Sequence, residues 1–296
     1  MSRIEEALKR LQSRGQPPAL APSSVSPRSQ AVAPALPANR KKVVIEGDRH
    51  HVPTDELMRG GLLASAEDTA WITDEFRRIK RPLIANTLRT GSEAAPHQNV
   101  IMITSGLPGA GKTFCSVNLA VSISLERELN VLLVDADVAK PHISRAFGLE
   151  GAPGLIDLLS NERTDVAEML VRTDLNDILV LPAGRHHEHA TELLASERMS
   201  SVVAELSTRY ADRIVIVDSP PLLLTSEAQA LAGQVGQIVV VVEAGQTSRE
   251  SLQQTLAPLD RNKAVNVVLN KVRSSGGSGQ LYGAYGHYGN HGNEGR

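Results

Sequence analysis

NVIMITSGLPGAGKTF, residues 99–114, decides the fold. Its first six residues are an apolar run with the composition of a buried strand, and the glycine-rich turn that follows leads into a helical pattern from about Lys112. Gly106, Gly111, Lys112 and Thr113 match the spacing G-x-x-x-x-G-K-[ST]. The chemistry needs that spacing. Backbone N–H groups of a glycine-rich turn cradle phosphate oxygens, a lysine reaches the terminal phosphates, and a threonine hydroxyl ligates Mg²⁺. The strand, loop and helix context together predict a nucleoside-triphosphate site rather than a structural glycine turn.

The same alternation continues outward. NVLLVDAD, DILVLPAG, RIVIVDSP, QIVVVVEA and VNVVLN are short apolar runs separated by helical stretches, including ones near 191–208 and from about Ser248. Continuous β-branched runs between helices predict strands buried on both faces, so the fold class is α/β, a doubly wound and mostly parallel sheet flanked by helices. Two runs end in acids, Asp218 in one and Asp135 with Asp137 in the other. Ligands of such sheets collect at the carboxyl ends of the strands, so the three acids and the phosphate loop are expected on one edge. Asp218 stands where a carboxylate would hold the Mg²⁺ shell.

Before this domain, residues 1–14 have amphipathic helical spacing (Ile4, Ala7, Leu8, Leu11), and Glu5 with Lys9 and Glu6 with Arg10 are favourable i,i+4 pairs. Residues 15–65 begin rich in Pro, Ala and Ser and are read as a linker and extended segment. Residues 66–81 resume helical character, and Pro82 is expected to end or kink that helix. The domain is therefore placed at 66–273, with a disordered Gly/Tyr-rich tail at 274–296. Three of the four tyrosines, Tyr282, Tyr285 and Tyr288, lie in that tail.

Composition sets limits. Lys and Arg number 31 against 33 Asp and Glu, which gives no argument for nucleic acid, and no nucleic-acid partner is expected. The single cysteine, Cys115, excludes an intrachain disulfide framework and suits a reducing compartment; it is expected in the core. The sequence shows neither a spanning apolar run nor a signal-peptide pattern, so a cytoplasmic protein is expected, with any membrane association made through a partner. His186, His187 and His189 cluster with Glu188 in RHHEH, which is read as a surface loop rather than a metal site.

GTP is disfavoured because Asn270-Lys271 is followed by Val272 and Arg273, without the aspartate of the guanine-reading N-K-x-D element. A partitioning or division-site ATPase would carry a second signature lysine where this chain has Leu107. That ATPase and a nucleotide-gated interaction module without phosphotransfer remain the alternative readings.

SGLPGAGKTF, VLLVDADVAKP and IVIVDSPP, in this order and ahead of a tyrosine cluster, resemble the bacterial tyrosine kinases of polysaccharide export. The MSRIEEALKRL start and FRRIKRPL are similar to the branch of tyrosine autokinases associated with exosortase-linked exopolysaccharide loci. The resemblance implies an ATP-dependent protein-tyrosine autokinase with Mg²⁺, lined at the nucleotide by Gly106, Pro108, Gly109, Ala110, Gly111, Lys112, Thr113 and Phe114. Asn270 would read adenine; Thr113, Asp135 and Asp218 would hold the metal; and one of the acids, with Asp135 and Asp137 as the Walker A′ pair, would orient or deprotonate the acceptor hydroxyl. Tyr282, Tyr285 and Tyr288 would be the acceptors. Glu75, Arg78 and Arg81 fit an E-x-x-R-x-x-R interface helix of a ring-like homo-oligomer. The implied partner is a membrane-embedded chain-length-determinant or polysaccharide co-polymerase protein. One departure is Ala139 followed by Lys140, where the family often has arginine.

Overall fold

The apolar runs pair into one sheet. In the computed structural model, which describes residues 47–64, 69–91 and 94–272, the strands are β1 (Val100–Ser105), β2 (Asn130–Asp135), β3 (Val171–Arg172), β4 (Leu179–Leu181), β5 (Arg213–Asp218), β6 (Gln237–Glu243) and β7 (Ala264–Asn270). Their order across the sheet is β3-β4-β2-β5-β1-β6-β7. All pairings are parallel except the short β3, which runs antiparallel to β4. Parallel alignment brings the carboxyl ends of β2, β5 and β1 together: Asp135 lies in register with Asp218, and Asp218 with Ile103.

The helices are α1 (Thr54–Arg59), α2 (Thr69–Thr87), α3 (Lys112–Ser124), α4 (His142–Ala146), α5 (Leu155–Ser160), α6 (Val166–Met169), α7 (Ala190–Leu194), α8 (Glu197–Arg209), α9 (Ser226–Gln234) and α10 (Arg249–Leu256). Alternate residues of each central strand feed two cores. Val100, Met102, Leu132 and Val134 meet α5, α8 and α9 on one face. Ile101, Ile103, Leu133 and Ile216 meet α2, α3 and α4 on the other. Burial of both faces explains why these strands read as continuous apolar runs. No helix among the described residues is long and apolar enough to cross a membrane.

Three local expectations need correction. Pro82 does not end its helix, which runs on through Thr87. The proline removes one backbone donor, but the turn beyond it is held by tertiary bonds: Gln237 Nε2 donates to Leu83 O at 3.1 Å, and Thr87 Oγ1 donates to Gln98 O at 3.1 Å. The helix expected near 191–208 is two helices, because Ser196 caps α8 by accepting from Met199 N at 3.3 Å. The linker expected at 15–65 is, over 47–64, part of the fold. Val52 and Leu57 are buried there, Val52 N donates to Asp174 Oδ1 at 2.9 Å, and Asn118 Nδ2 donates to Leu62 O at 2.9 Å. Pro53 followed by Thr54, Asp55 and Glu56 is helix-start chemistry, the signal that could have placed α1. The amphipathic segment at 1–14, the Pro-rich stretch and the tail at 274–296 lie outside the described residues.

Candidate functional site

The loop between β1 and α3 takes the shape its glycines permit. Gly109 and Gly111 have φ of 86° and 92°, left-handed values that suit glycine. At Gly111 a Cβ would also lie 2.2 Å from Asn270 Nδ2, and at Gly106 one would lie 2.3 Å from Thr255 Oγ1. Gly106 therefore seats the loop against α10, and Gly111 seats it against the end of β7.

Behind the loop, α3 turns two hydroxyls toward one acid. Thr113 Oγ1 donates to Asp218 Oδ2 at 2.8 Å and Ser116 Oγ donates to Asp218 Oδ1 at 2.9 Å. Asp218 is fully buried, and burial pushes its carboxyl up to about 6 even though both hydroxyls and the Lys112 charge oppose the shift. Asp135, its neighbour in register, is equally buried and is pushed up to about 7 by burial and then by the Asp218 charge. Asp135 Oδ2 accepts from Ser144 N at 2.8 Å and Ser144 Oγ at 2.7 Å, whereas its Oδ1 is buried with no hydrogen-bond partner. Two buried carboxylates, one of them with an unpartnered oxygen, and a threonine hydroxyl form a hard-oxygen donor set that fits Mg²⁺.

In front of the loop lies a cleft of about 810 Å³. Pro108, Gly109, Gly111, Lys112, Thr113 and Phe114 line it on the loop side, with Asp137 and Lys140 opposite. Helix α1 contributes Glu56 and Leu57, a wall the sequence reading did not foresee. Lys112 is 8% exposed and Asp137 9%. Burial raises the Asp137 carboxyl and the Lys112 charge counters it. The phenyl rings of Phe114 and Phe76 meet at 6.1 Å between centroids, which ties α2 to the loop helix.

Asn270, expected at adenine, donates Nδ2 to Ala110 O at 2.9 Å. Its neighbour Lys271 donates Nζ to Gly109 O at 2.7 Å. Glu75 and Arg78 pair with each other at 3.3 Å on the exposed face of α2, and Arg81 is exposed on the same helix. Cys115 is buried. Arg185 of RHHEH is fastened to Asp157 by Nε at 2.7 Å, and among the described residues no three or more His, Cys, Asp and Glu side chains gather into a metal-holding group. Tyr282, Tyr285 and Tyr288 lie outside the described residues.

Sequence reasoning missed Ser116, Ser144 and Lys271. Ser116 was legible, since it follows Thr113 by three on a helix and so shares its face. Ser144 carries no motif, and Lys271 stands out in the sequence only as part of an incomplete guanine-reading element.

The chain is similar to several known proteins. A family model described as "AAA domain" matches residues 98–271. The tyrosine-protein kinase wzc of Salmonella typhimurium is 31% identical over 202 residues, 67% of this chain and 28% of the relative. This chain thus spans little more than a quarter of that relative. The tyrosine-protein kinase YwqD of Bacillus subtilis is 29% identical over 218 residues, 72% of this chain and 86% of the relative. Among solved structures, the VpsO kinase domain superposes with a TM-score of 0.54 at 30% identity, covering 69% of this chain and 100% of that one.

Proposed function

Because the chain belongs to the bacterial tyrosine kinases, P-loop proteins whose nucleotide-binding core is an AAA domain, we propose that it is an ATP-dependent protein-tyrosine autokinase whose acceptors are Tyr282, Tyr285 and Tyr288. The observation that carries this reading is the convergence on one edge of the sheet of the Lys112 loop, the Thr113–Asp218 pair and Asp135, with Asp137 facing the cleft.

In this reading Gly106, Pro108, Gly109, Ala110, Gly111 and Phe114 shape the loop around the phosphates, and Lys112 meets the β- and γ-phosphates. Asn270 donates to the Ala110 carbonyl of the same loop. Thr113, Asp135 and Asp218 would hold Mg²⁺, which when bound neutralises charge on the phosphate oxygens. The tyrosine oxygen forms its bond to the γ-phosphorus as the bond from phosphorus to the bridging oxygen breaks, and ADP leaves with that electron pair. The phenol proton passes to Asp137, the one acid of the three that lines the cleft.

The chain passes Asn270 at the carboxyl end of a strand parallel to β1, so it leaves the sheet on the phosphate-loop edge, which favours the tail as acceptor. The same reading takes Glu75, Arg78 and Arg81 as the contact surface of a ring-like homo-oligomer. It also takes residues 1–14 as a docking helix for a membrane-embedded chain-length-determinant or polysaccharide co-polymerase protein, which would hold this cytoplasmic kinase at the membrane in exopolysaccharide synthesis or export.

Incubation with labelled ATP and Mg²⁺ followed by mass spectrometry tests the proposal. Phosphotyrosine at 282, 285 or 288 that vanishes in Lys112→Met is the expected result. Turnover of ATP without phosphotyrosine would replace the reading with an ATPase that drives localisation, and binding without turnover would replace it with an interaction module.

A further inference from the structure

Asn270, the last residue of β7, and Lys271 after it make contacts that neither adenine reading nor chain turning requires. Asn270 Nδ2 donates to Ala110 O at 2.9 Å, and Lys271 Nζ donates to Gly109 O at 2.7 Å. These carbonyls are consecutive in the phosphate loop. A trans peptide is planar, and its C=O and N–H point in opposite directions. Holding the Gly109 and Ala110 carbonyls from the β7 side therefore turns the N–H groups of Ala110 and Gly111 the other way, toward the concave side of the loop, where phosphate oxygens are bound.

Two independent features fix the pair in place. Lys271 has φ of 55°, a left-handed conformation uncommon outside glycine and asparagine, and one that persists only where surroundings impose it. Its Nζ is also shared with Glu243 Oε1 at 3.2 Å, and Ala244 N donates to Asn270 O at 2.9 Å, so the end of β6 anchors the dipeptide. Gly111 completes the fit, since any Cβ there would strike the Asn270 amide.

The geometry points to Asn270 and Lys271 as a clip that sets two peptide planes of the phosphate loop, so that they are positioning residues for the phosphate chain rather than readers of the base. This inference rests on the nucleotide reading above. It also ties the loop's shape to the point where the tail begins, because Lys271 is two residues from Arg273.

The test uses the full chain with Asn270→Ala, Lys271→Gly and Lys271→Arg. Each is titrated with MgADP and with magnesium tripolyphosphate, which has the phosphates without the base, and each is melted without ligand. Asn270→Ala and Lys271→Gly should weaken both ligands by a similar factor, roughly three- to tenfold. Lys271→Arg should recover most of the loss. Lys271→Gly should melt no lower than the wild type, because glycine accepts the left-handed backbone. Loss of MgADP affinity with tripolyphosphate unchanged would make Asn270 a base reader and overturn the clip. So would unchanged affinity for both ligands, or a loss in Lys271→Gly that tracks a falling melting temperature. If the wild type binds neither ligand, the nucleotide reading falls and takes the clip with it.

Discussion

Asp135 and Asp218 stand side by side in register at the ends of β2 and β5, both without solvent exposure, and of the two only Asp218 has both oxygens hydrogen-bonded. Two like charges so placed resist simultaneous ionisation. The ligand-free protein is therefore expected to hold a proton there that the unfolded chain would release.

The sign follows from that proton. Asp135 is raised to about 7, against an unfolded carboxyl near 4, so the folded state binds more protons between those values and stability falls as pH rises through the window. Thermal melts from pH 4.5 to 8 should show the decline in the ligand-free wild type and a shallower one in Asp135→Asn, which should melt higher at pH 8. A variant that melts lower than wild type at pH 8 would refute the account. Mg²⁺ with ATP should close the gap at pH 8 in the wild type only.

Ser144 supports Asp135 from both its N–H and its hydroxyl, and its Oγ also accepts from Ala183 N at 2.9 Å. Ser144→Ala strips a buried carboxylate of one donor and a buried amide of its acceptor. The expected cost is about 1–3 kcal/mol in denaturant unfolding, together with reduced phosphotransfer because the acid loses its orientation.

Thr113 and Ser116 share Asp218, but only Thr113 also lines the cleft. Thr113→Ala should cut phosphotransfer by about a hundredfold or more, the scale of losing one group that stabilises the transition state. Ser116→Ala should act chiefly on stability, by about 1 kcal/mol. Equal kinetic effects from the two would contradict this division.

Gly111→Ala should abolish nucleotide binding while leaving a folded protein, because the new methyl meets Asn270 at the loop and not in either core. Titration with MgADP and a circular-dichroism melt distinguish the two effects.

Burial, and then the charge of Asp218, push the Cys115 thiol up to about 12. Thiolate is the reactive form. At pH 8 the native protein should resist iodoacetamide and the denatured protein should take it up within minutes, as read by intact mass.

The central strands and the three acids were legible because doubly buried parallel strands write themselves as unbroken Val and Ile runs, and because the phosphate loop has a fixed spacing; the order of the strands across the sheet was not. Less of the support around the acids could be read. Ser144 reaches Asp135 from nine residues away through the α4 turn, and Lys271 reaches Gly109 from 162 residues away, so neither leaves a local pattern. Pro82 misled because local propensity predicts a break, whereas Gln237, from the far side of the sequence, holds the turn beyond it. Helix α1 was absorbed into the linker because its six residues bury one leucine, too little for a periodic signal.

The packing of residues 47–64 has a geometric result. His50 bridges to Thr173 beside β3, one outer strand, while residue 270 closes β7, the other. Six strand spacings separate those flanks, about 29 Å at the usual interval between strands. Among the described residues, the chain thus begins near one border of the sheet and ends at the opposite border.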